Sequence, residues 1–485
     1  MNDIGSYGLK IGRRTFVSTA AVLLGVMILA MILTQTVPTG MYERVVTDGR
    51  EIVVPGSYVR TEHGRLQVWR LFTAPLEVFA GPDALTAIMI ILSIMLIGGV
   101  FLILDKCGLL QYAMGLIINR FEKKKYALLA AVTLFGMALG SCMGLFEETV
   151  ILAPITVSLA ISLGWDALVG IGMSVLAVGF GFSASTFNPF TTGVAQRLAG
   201  LPVYSGLWLR GVVFVVVYAI LLLFLYLYAK RIELDPGKSL LHGIEISAMG
   251  VSGAGDPAGA GDPADPEKSK RALAFFGFSL LAIAFYVTAG VFLPALSAYS
   301  MPVIALSITC GGIGAGLLSG YGRVFRDFGK GIVSFLPGAA LLMLAMSVKQ
   351  IIVSGGVMDT LLHYAYELVV GSNPLTSLMV IFLFVLCFNF FIGGASAKAF
   401  LVVPLLAPLA ELIGLTRQSV VLAFCFGDGF SNMIYPTNAV LLIVLGIIGV
   451  PYTVWFRWTW KLQTALVAVS VVFLIFAHTA GYGPF

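Results

Sequence analysis

The sequence predicts an all-α polytopic membrane protein made of two inverted repeats, each with a re-entrant hairpin and a broken transmembrane helix. Three observations carry that reading. Of 485 residues, 59% are hydrophobic and 11% charged, whereas a soluble domain carries about 25% charged residues. Apolar runs of ~18 residues or more recur along the chain, and each can cross a ~30 Å hydrocarbon layer. Clusters of Gly, Pro and small polar residues interrupt the apolar stretches in two matching sets. The net charge of +5 fits Lys and Arg gathered on cytoplasmic loops, and no nucleic-acid partner is expected. The five cysteines lack CxxC spacing and the four histidines are scattered, so neither a disulfide framework nor a metal site is expected.

Lys10, Arg13 and Arg14 place the N-terminus in the cytoplasm, and 16–36 is read as an uncleaved first span. Residues 37–82 form a polar external loop in which Asp48-Gly49, between Tyr42–Val46 and Ile52–Val54, signals a β-hairpin. Residues 84–105 return inward to an amphipathic stretch at 107–120. The run 126–163 is interrupted by Gly140–Glu148. Its arms of ~15 residues, about 22 Å as helix, fall short of the full core and suit a re-entrant hairpin. A broken span follows at 167–199, interrupted at Ser183–Pro189. Residues 207–229 return inward, ending at Lys230-Arg231, and close an N-terminal repeat over 1–231.

Residues 232–271, with two Gly-Asp-Pro-Ala units, read as a flexible cytoplasmic linker. The C-terminal repeat, 272–485, has spans at 272–294, 300–320 and 331–352, then an amphipathic segment at 356–371. A second hairpin (374–414) has its tip at Gly393–Lys398. A second broken span (418–446) is interrupted at Gly427–Asn438. Arg457 and Lys461 mark an inner turn before a last span at 463–481. The expected count is nine crossings plus two hairpins, with an external C-terminus. The repeat shows in the punctuation. Pro154 and Gly164 match Pro404 and Gly414 in spacing, and Gly181-Phe-Ser183 recurs as Gly429-Phe-Ser431. Inverted repeats with broken helices point to a transporter.

Helix breaks expose backbone groups that lipid cannot satisfy, so they survive where they line a cavity. Ser141, Ser185, Thr186, Asn188, Ser396, Thr437 and Asn438 are therefore candidate substrate ligands, together with Glu147, Glu148 and Lys398 at the hairpin tips. Glu148, Ser183, Asn188, Asp428, Ser431, Asn432 and Asn438 are candidates for holding a coupling ion, H⁺ or Na⁺; no other cofactor is expected. Structural alternatives stand beside these. The small polar residues could pack or cap helices, Glu148 and Lys398 could form an ion pair, and Asp428 could cap the following helix.

Ser183–Gly193 and Phe426–Asn438 resemble the two signature stretches of the YfcC family, a relative of the anaerobic dicarboxylate carriers within the ion transporter superfamily. The resemblance covers nearly the whole chain. It implies a homodimeric elevator-type transporter of a bacterial inner membrane, with a fixed scaffold and a mobile transport domain. Family names invoke amino acids (arginine/ornithine exchange) and dicarboxylates. The reading is an ion-coupled symporter or exchanger for a small carboxylate-bearing solute, first an amino acid and alternatively a dicarboxylate. An enzyme is disfavoured by the lack of HExxH or GxSxG, and a channel by hairpins that meet at midplane.

Overall fold

The computed structural model describes residues 13–483 except 48–49, 62–64, 82–83, 111, 114–115, 117–123, 147–148, 151, 245–265, 293–299 and 335. Among the described residues, seven helical stretches are long and apolar enough to cross a membrane. Shorter apolar helices lie between them.

Helix α1 (Arg13–Thr36) leads into two small antiparallel ladders. β2 (Arg44–Thr47) pairs with β3 (Arg50–Val53), with Arg44 opposite Val53, and β1 (Gly40–Met41) pairs with β4 (Val59–Arg60). The expected hairpin is therefore present, while its Asp48-Gly49 turn lies outside the described residues. A short helix not anticipated from sequence, α2 (Arg70–Glu77), packs against the helix Leu336–Ser354 and buries Ala74. Its Arg70 donates to Glu77 at 2.6 Å, and that hydrogen bond holds the Glu77 carboxyl below its usual range.

Next come α3 (Ala84–Lys106) and α4 (Lys125–Met143). The expected amphipathic stretch 107–120 lies largely outside the described residues. The first hairpin is α4, whose last turn widens to a π-turn at Leu139–Met143, followed by α5 (Leu152–Ser162). The first broken helix is α6 (Ala167–Ser183) and α7 (Thr192–Leu198). Asp166 starts α6 by accepting from the Val169 N–H, a side-chain cap of the usual kind. Helix α8 (Leu207–Leu234) follows.

The linker expectation needs narrowing at both ends. Helix α8 runs past Lys230-Arg231 to Leu234, and Ser239 and Tyr228 both donate to Asp166 at 2.7 Å. These bonds tie 235–241 to the start of α6. Burial raises the Asp166 carboxyl above its ordinary range, and the two hydroxyls work against that rise. Residues 245–265 lie outside the described residues, and α9 (Pro266–Phe292) begins before the expected 272.

In the second half, α10 (Ser300–Leu318) precedes the helical stretch Val324–Ser354, which contains the expected span 331–352 and begins before it; its segments on either side of residue 335 are labelled separately. These are α11 (Val324–Ser334), packed on α3, and α12 (Leu336–Ser354), packed on α1 and α2. Helix α13 (Met358–Val370) fits the expected amphipathic segment. The second hairpin is α14 (Pro374–Asn389), capped by Asn373 with Pro374 at its first position, then α15 (Ala395–Leu412). The second broken helix is α16 (Arg417–Gly429), a 3₁₀ turn at Phe430–Met433, and α17 (Ala439–Ile448). The break was expected to open at Gly427. Helical structure instead persists to Met433, so Asp428 stands inside α16 and does not cap a following helix. The last helix, α18 (Tyr452–Thr479), is continuous through Arg457 and Lys461, where a turn was expected. Both side chains are exposed, so long cations leave a helix face without ending the helix.

The halves pack alike: α4 and α5 lie along α6, and α14 and α15 lie along α16. Glycines set the closest approaches. A Cβ on Gly181 would fall inside the Met137 carbonyl, and one on Gly429 would fall inside Ser183. The matching Gly-Phe-Ser triplets are thus where α6 meets α4 and where the two broken helices cross.

Candidate functional site between the hairpin tips and the helix breaks

Hairpin two turns at Phe390–Gly394, with Gly394 at φ +89°, a conformation open to glycine. The turn delivers Lys398 into the first turn of α15, where it is fully buried. Its ammonium pairs with the Asp428 carboxylate of α16 and donates to Asn389 Oδ1 at the end of α14. Both members of the ion pair have side chains 1% exposed. A buried charge that loses its partner is strongly destabilising, so the pair locks hairpin two to the second broken helix.

Asn389 extends the network. Its Nδ2 reaches the Asp428 carbonyl at 2.7 Å, Ser431 Oγ at 2.7 Å and Asn432 Oδ1 at 3.0 Å. An amide has two N–H donors, so three acceptors compete for them. Asn432 Oδ1 also accepts from Asn438 Nδ2 at 3.2 Å, and Asn438 Oδ1 caps α17 by accepting from the Leu441 N–H at 3.0 Å. Thr437 lies half-buried in the same break. Ser431 Oγ also donates to the Gly427 carbonyl at 3.1 Å.

The first half is built the same way. Ser141 Oγ, in the π-turn of α4, donates to the Ala184 carbonyl at 2.7 Å and lies 2.9 Å from Thr186 Oγ1. The Thr186 N–H donates back to Ser141 Oγ at 3.0 Å. Asn188 Oδ1 accepts from the Phe190 and Thr191 N–H groups at 2.8 and 3.2 Å. Its Nδ2 donates to the Gly140 carbonyl at 3.4 Å. Ser185 Oγ accepts from Thr192 Oγ1 at 2.6 Å, and Ser183 Oγ donates to the Gly179 carbonyl at 2.9 Å. Ser396 Oγ, on hairpin two, donates to the Phe190 carbonyl at 2.7 Å. That bond joins the second hairpin tip to the first break.

The structure therefore gathers Ser141, Ser183, Ser185, Thr186, Asn188, Ser396, Lys398, Asp428, Ser431, Asn432 and Asn438 around two crossing breaks. Glu147 and Glu148 lie outside the described residues, and with them the alternative of a Glu148–Lys398 ion pair; the carboxylate partner shown for Lys398 is Asp428. Asn438 caps α17, the structural role that stood beside its candidacy as a ligand, while Asn188 satisfies the Phe190 and Thr191 N–H groups of the break itself, ahead of α7. Among the described residues no cluster of three or more His, Cys, Asp or Glu could hold a metal.

Three features escaped the sequence reading. Asn389 is one, although an amide closing the apolar run 374–392 was a visible signal. Arg210 of α8 is another: it is 3% exposed and points a guanidinium N–H at the Thr186 carbonyl, 3.5 Å away. The third is the Gln196–Gln418 contact at 3.2 Å, which with Ser205 ties α7 to α16.

Residues 16–479 match the family model of the C4-dicarboxylate anaerobic carriers, DcuC. The chain belongs to that family. It is a membrane transporter. It is 30% identical to the "Putative basic amino acid antiporter YfcC" of Escherichia coli (strain K12), over 96% of each chain. An uncharacterised protein of Haemophilus influenzae is 23% identical over 88% of this chain and 81% of its own length. Among solved structures, the YdaH transporter of Alcanivorax borkumensis aligns over 96% of this chain and 100% of its own, with 18% identity and a TM-score of 0.44. The MtrF structure of Neisseria gonorrhoeae aligns over 94% of both chains, with 15% identity and a TM-score of 0.42.

Proposed function

We propose that this DcuC-family chain is a secondary active transporter, an ion-coupled symporter or exchanger, that moves a small carboxylate-bearing solute, first an amino acid. The Lys398–Asp428 pair at the tip of hairpin two, beside the second break, carries the reading. An amino acid can be received by opening that pair, its carboxylate going to Lys398 and its α-ammonium to Asp428, so that both charges of the pair stay compensated. The side-chain network around Asn389 and Asn432 supplies exchangeable hydrogen bonds, and H⁺ or Na⁺ is the coupling ion. The naming of YfcC as a basic amino acid antiporter agrees with an amino-acid substrate. The proposed topology has the N-terminus and 232–271 cytoplasmic, and the 37–82 loop and C-terminus external, in a bacterial inner membrane. Inverted repeats, an elevator movement of hairpins and broken helices, and a homodimer complete the proposal.

A dicarboxylate is the second reading, favoured by Arg210: a second buried cation near the first break could take a second carboxylate. Proteoliposomes loaded with unlabelled L-ornithine and given radiolabelled L-arginine, under imposed proton or sodium gradients, separate the two. Saturable, counterflow-stimulated arginine uptake that succinate barely inhibits is expected. Stimulated succinate uptake without arginine uptake would replace the first reading by the second. Non-saturable flux of both would end the carrier mechanism.

A further inference from the structure

Beside hairpin two lies a chamber of about 540 Å³, within the ~300–1,000 Å³ range of small-molecule sites. The chain around β1 roofs it, α12 forms one wall and α15 the other. Ala397, Phe400 and Leu401 line the α15 wall, a spacing of three and four residues that puts them on one helix face. Lys398 turns instead to the Asp428 pair. The chamber and the buried pair are therefore served by different faces of the same helix.

The wall across from α15 is polar, with Lys349 and Gln350 of α12. At the rim, Arg44 reaches both carboxylate oxygens of Asp359 at 2.8 Å, and Asp359 also accepts from the Tyr42 N–H at 3.0 Å. The lining thus carries two cations and one carboxylate, and that carboxylate is already engaged through both oxygens.

We propose that this chamber is a docking site for a small organic anion, its carboxylate on Lys349 and the Gln350 amide and its apolar part on Phe400 and Leu401. Lys349 has an interaction of its own in the structure; an ammonium has three donors, so a carboxylate adds to that interaction or exchanges with it. The identity of the guest rests on the carboxylate-carrier reading, and the charge preference of the chamber does not. Such a site holds solute against the outer face of the hairpin arm that carries Lys398.

Ala397 is exposed, which makes Ala397→Cys a probe of the chamber. The full-length protein in nanodiscs is treated with an anionic (sulfonatoethyl) or a cationic (trimethylammonioethyl) methanethiosulfonate. Modification is followed by mass spectrometry of the peptide that bears position 397, so the native cysteines remain. Rates are normalised to free cysteine. The anionic reagent is expected to be favoured by about tenfold, the effect of one ammonium a few ångströms away at intermediate dielectric. Lys349→Met should abolish the preference and Lys349→Arg should keep it, so the proposal stays testable if the Met variant folds poorly. Succinate should slow the anionic reagent only where the cation is present. A normalised ratio near one, a ratio indifferent to Lys349→Met, or a thiol at 397 that reacts with neither reagent would overturn the proposal. Charge selection without solute uptake in proteoliposomes would overturn the transport reading alone.

Discussion

Replacing Lys398 by Met strands the Asp428 carboxylate inside the protein. Both side chains are 1% exposed, so neither charge can turn to water, and removing one partner of such a pair costs about 3–5 kcal/mol. A chain of this length has an unfolding entropy of about 1 kcal/mol/K, and the melting temperature should fall by roughly 3–5 °C on that scale. Asp428→Asn should do similar damage by stranding the ammonium. The double variant Lys398→Met/Asp428→Asn leaves no buried charge, and Asn389 keeps its acceptors on Ser431, Asn432 and the residue-428 carbonyl. It should regain most of the lost stability. Melting in detergent and counterflow uptake of L-arginine, on all four proteins, are the assays. The expected result is a double variant near wild type in melting and dead in transport. A double variant that transports like wild type would make the pair purely structural. One no more stable than the worse single variant would mean that the two charges are not coupled.

Two further expectations follow from named contacts. Asn438→Ala removes the side-chain cap of α17, and Asn188→Ala removes the acceptor for the Phe190 and Thr191 N–H groups in the first break, so each should cost about 1 kcal/mol; transport should fall by far more than that fraction of folded protein lost. Transport that declines only in proportion to folded protein, by size-exclusion yield, would leave backbone support as their whole role. Arg44→Ala leaves Asp359, 5% exposed, without its bidentate partner, and should free the 37–82 loop from α13. Faster proteolysis within 37–82 in the variant is the readout, and an unchanged cleavage rate would refute the latch.

The legible part of the site was the part written locally. Ser183–Pro189 and the Pro436–Asn438 end of the second interruption announced breaks because Pro, Gly and small polar residues cannot extend a lipid-facing helix without a compensating partner. Gly181 and Gly429 stood out as a repeated pattern, though only packing revealed what each touches. The misjudged boundaries were those where local composition pulled against context: Arg457 and Lys461 looked like a turn, yet exposed cations on a long helix satisfy both water and backbone.

By itself the sequence determined the polytopic helical class and the places where two helices break, because hydrophobic length and backbone hydrogen-bond demand are properties of contiguous residues. Only the tertiary structure decided that Lys398 faces Asp428, that Asn389 bridges Lys398 to the second break, that Arg210 reaches the first, and that a chamber lies between α12 and α15. A buried charge finds its partner through the packing of segments distant in the chain. Hydropathy and spacing report which residues must be satisfied, and the crossing of the helices selects what satisfies them.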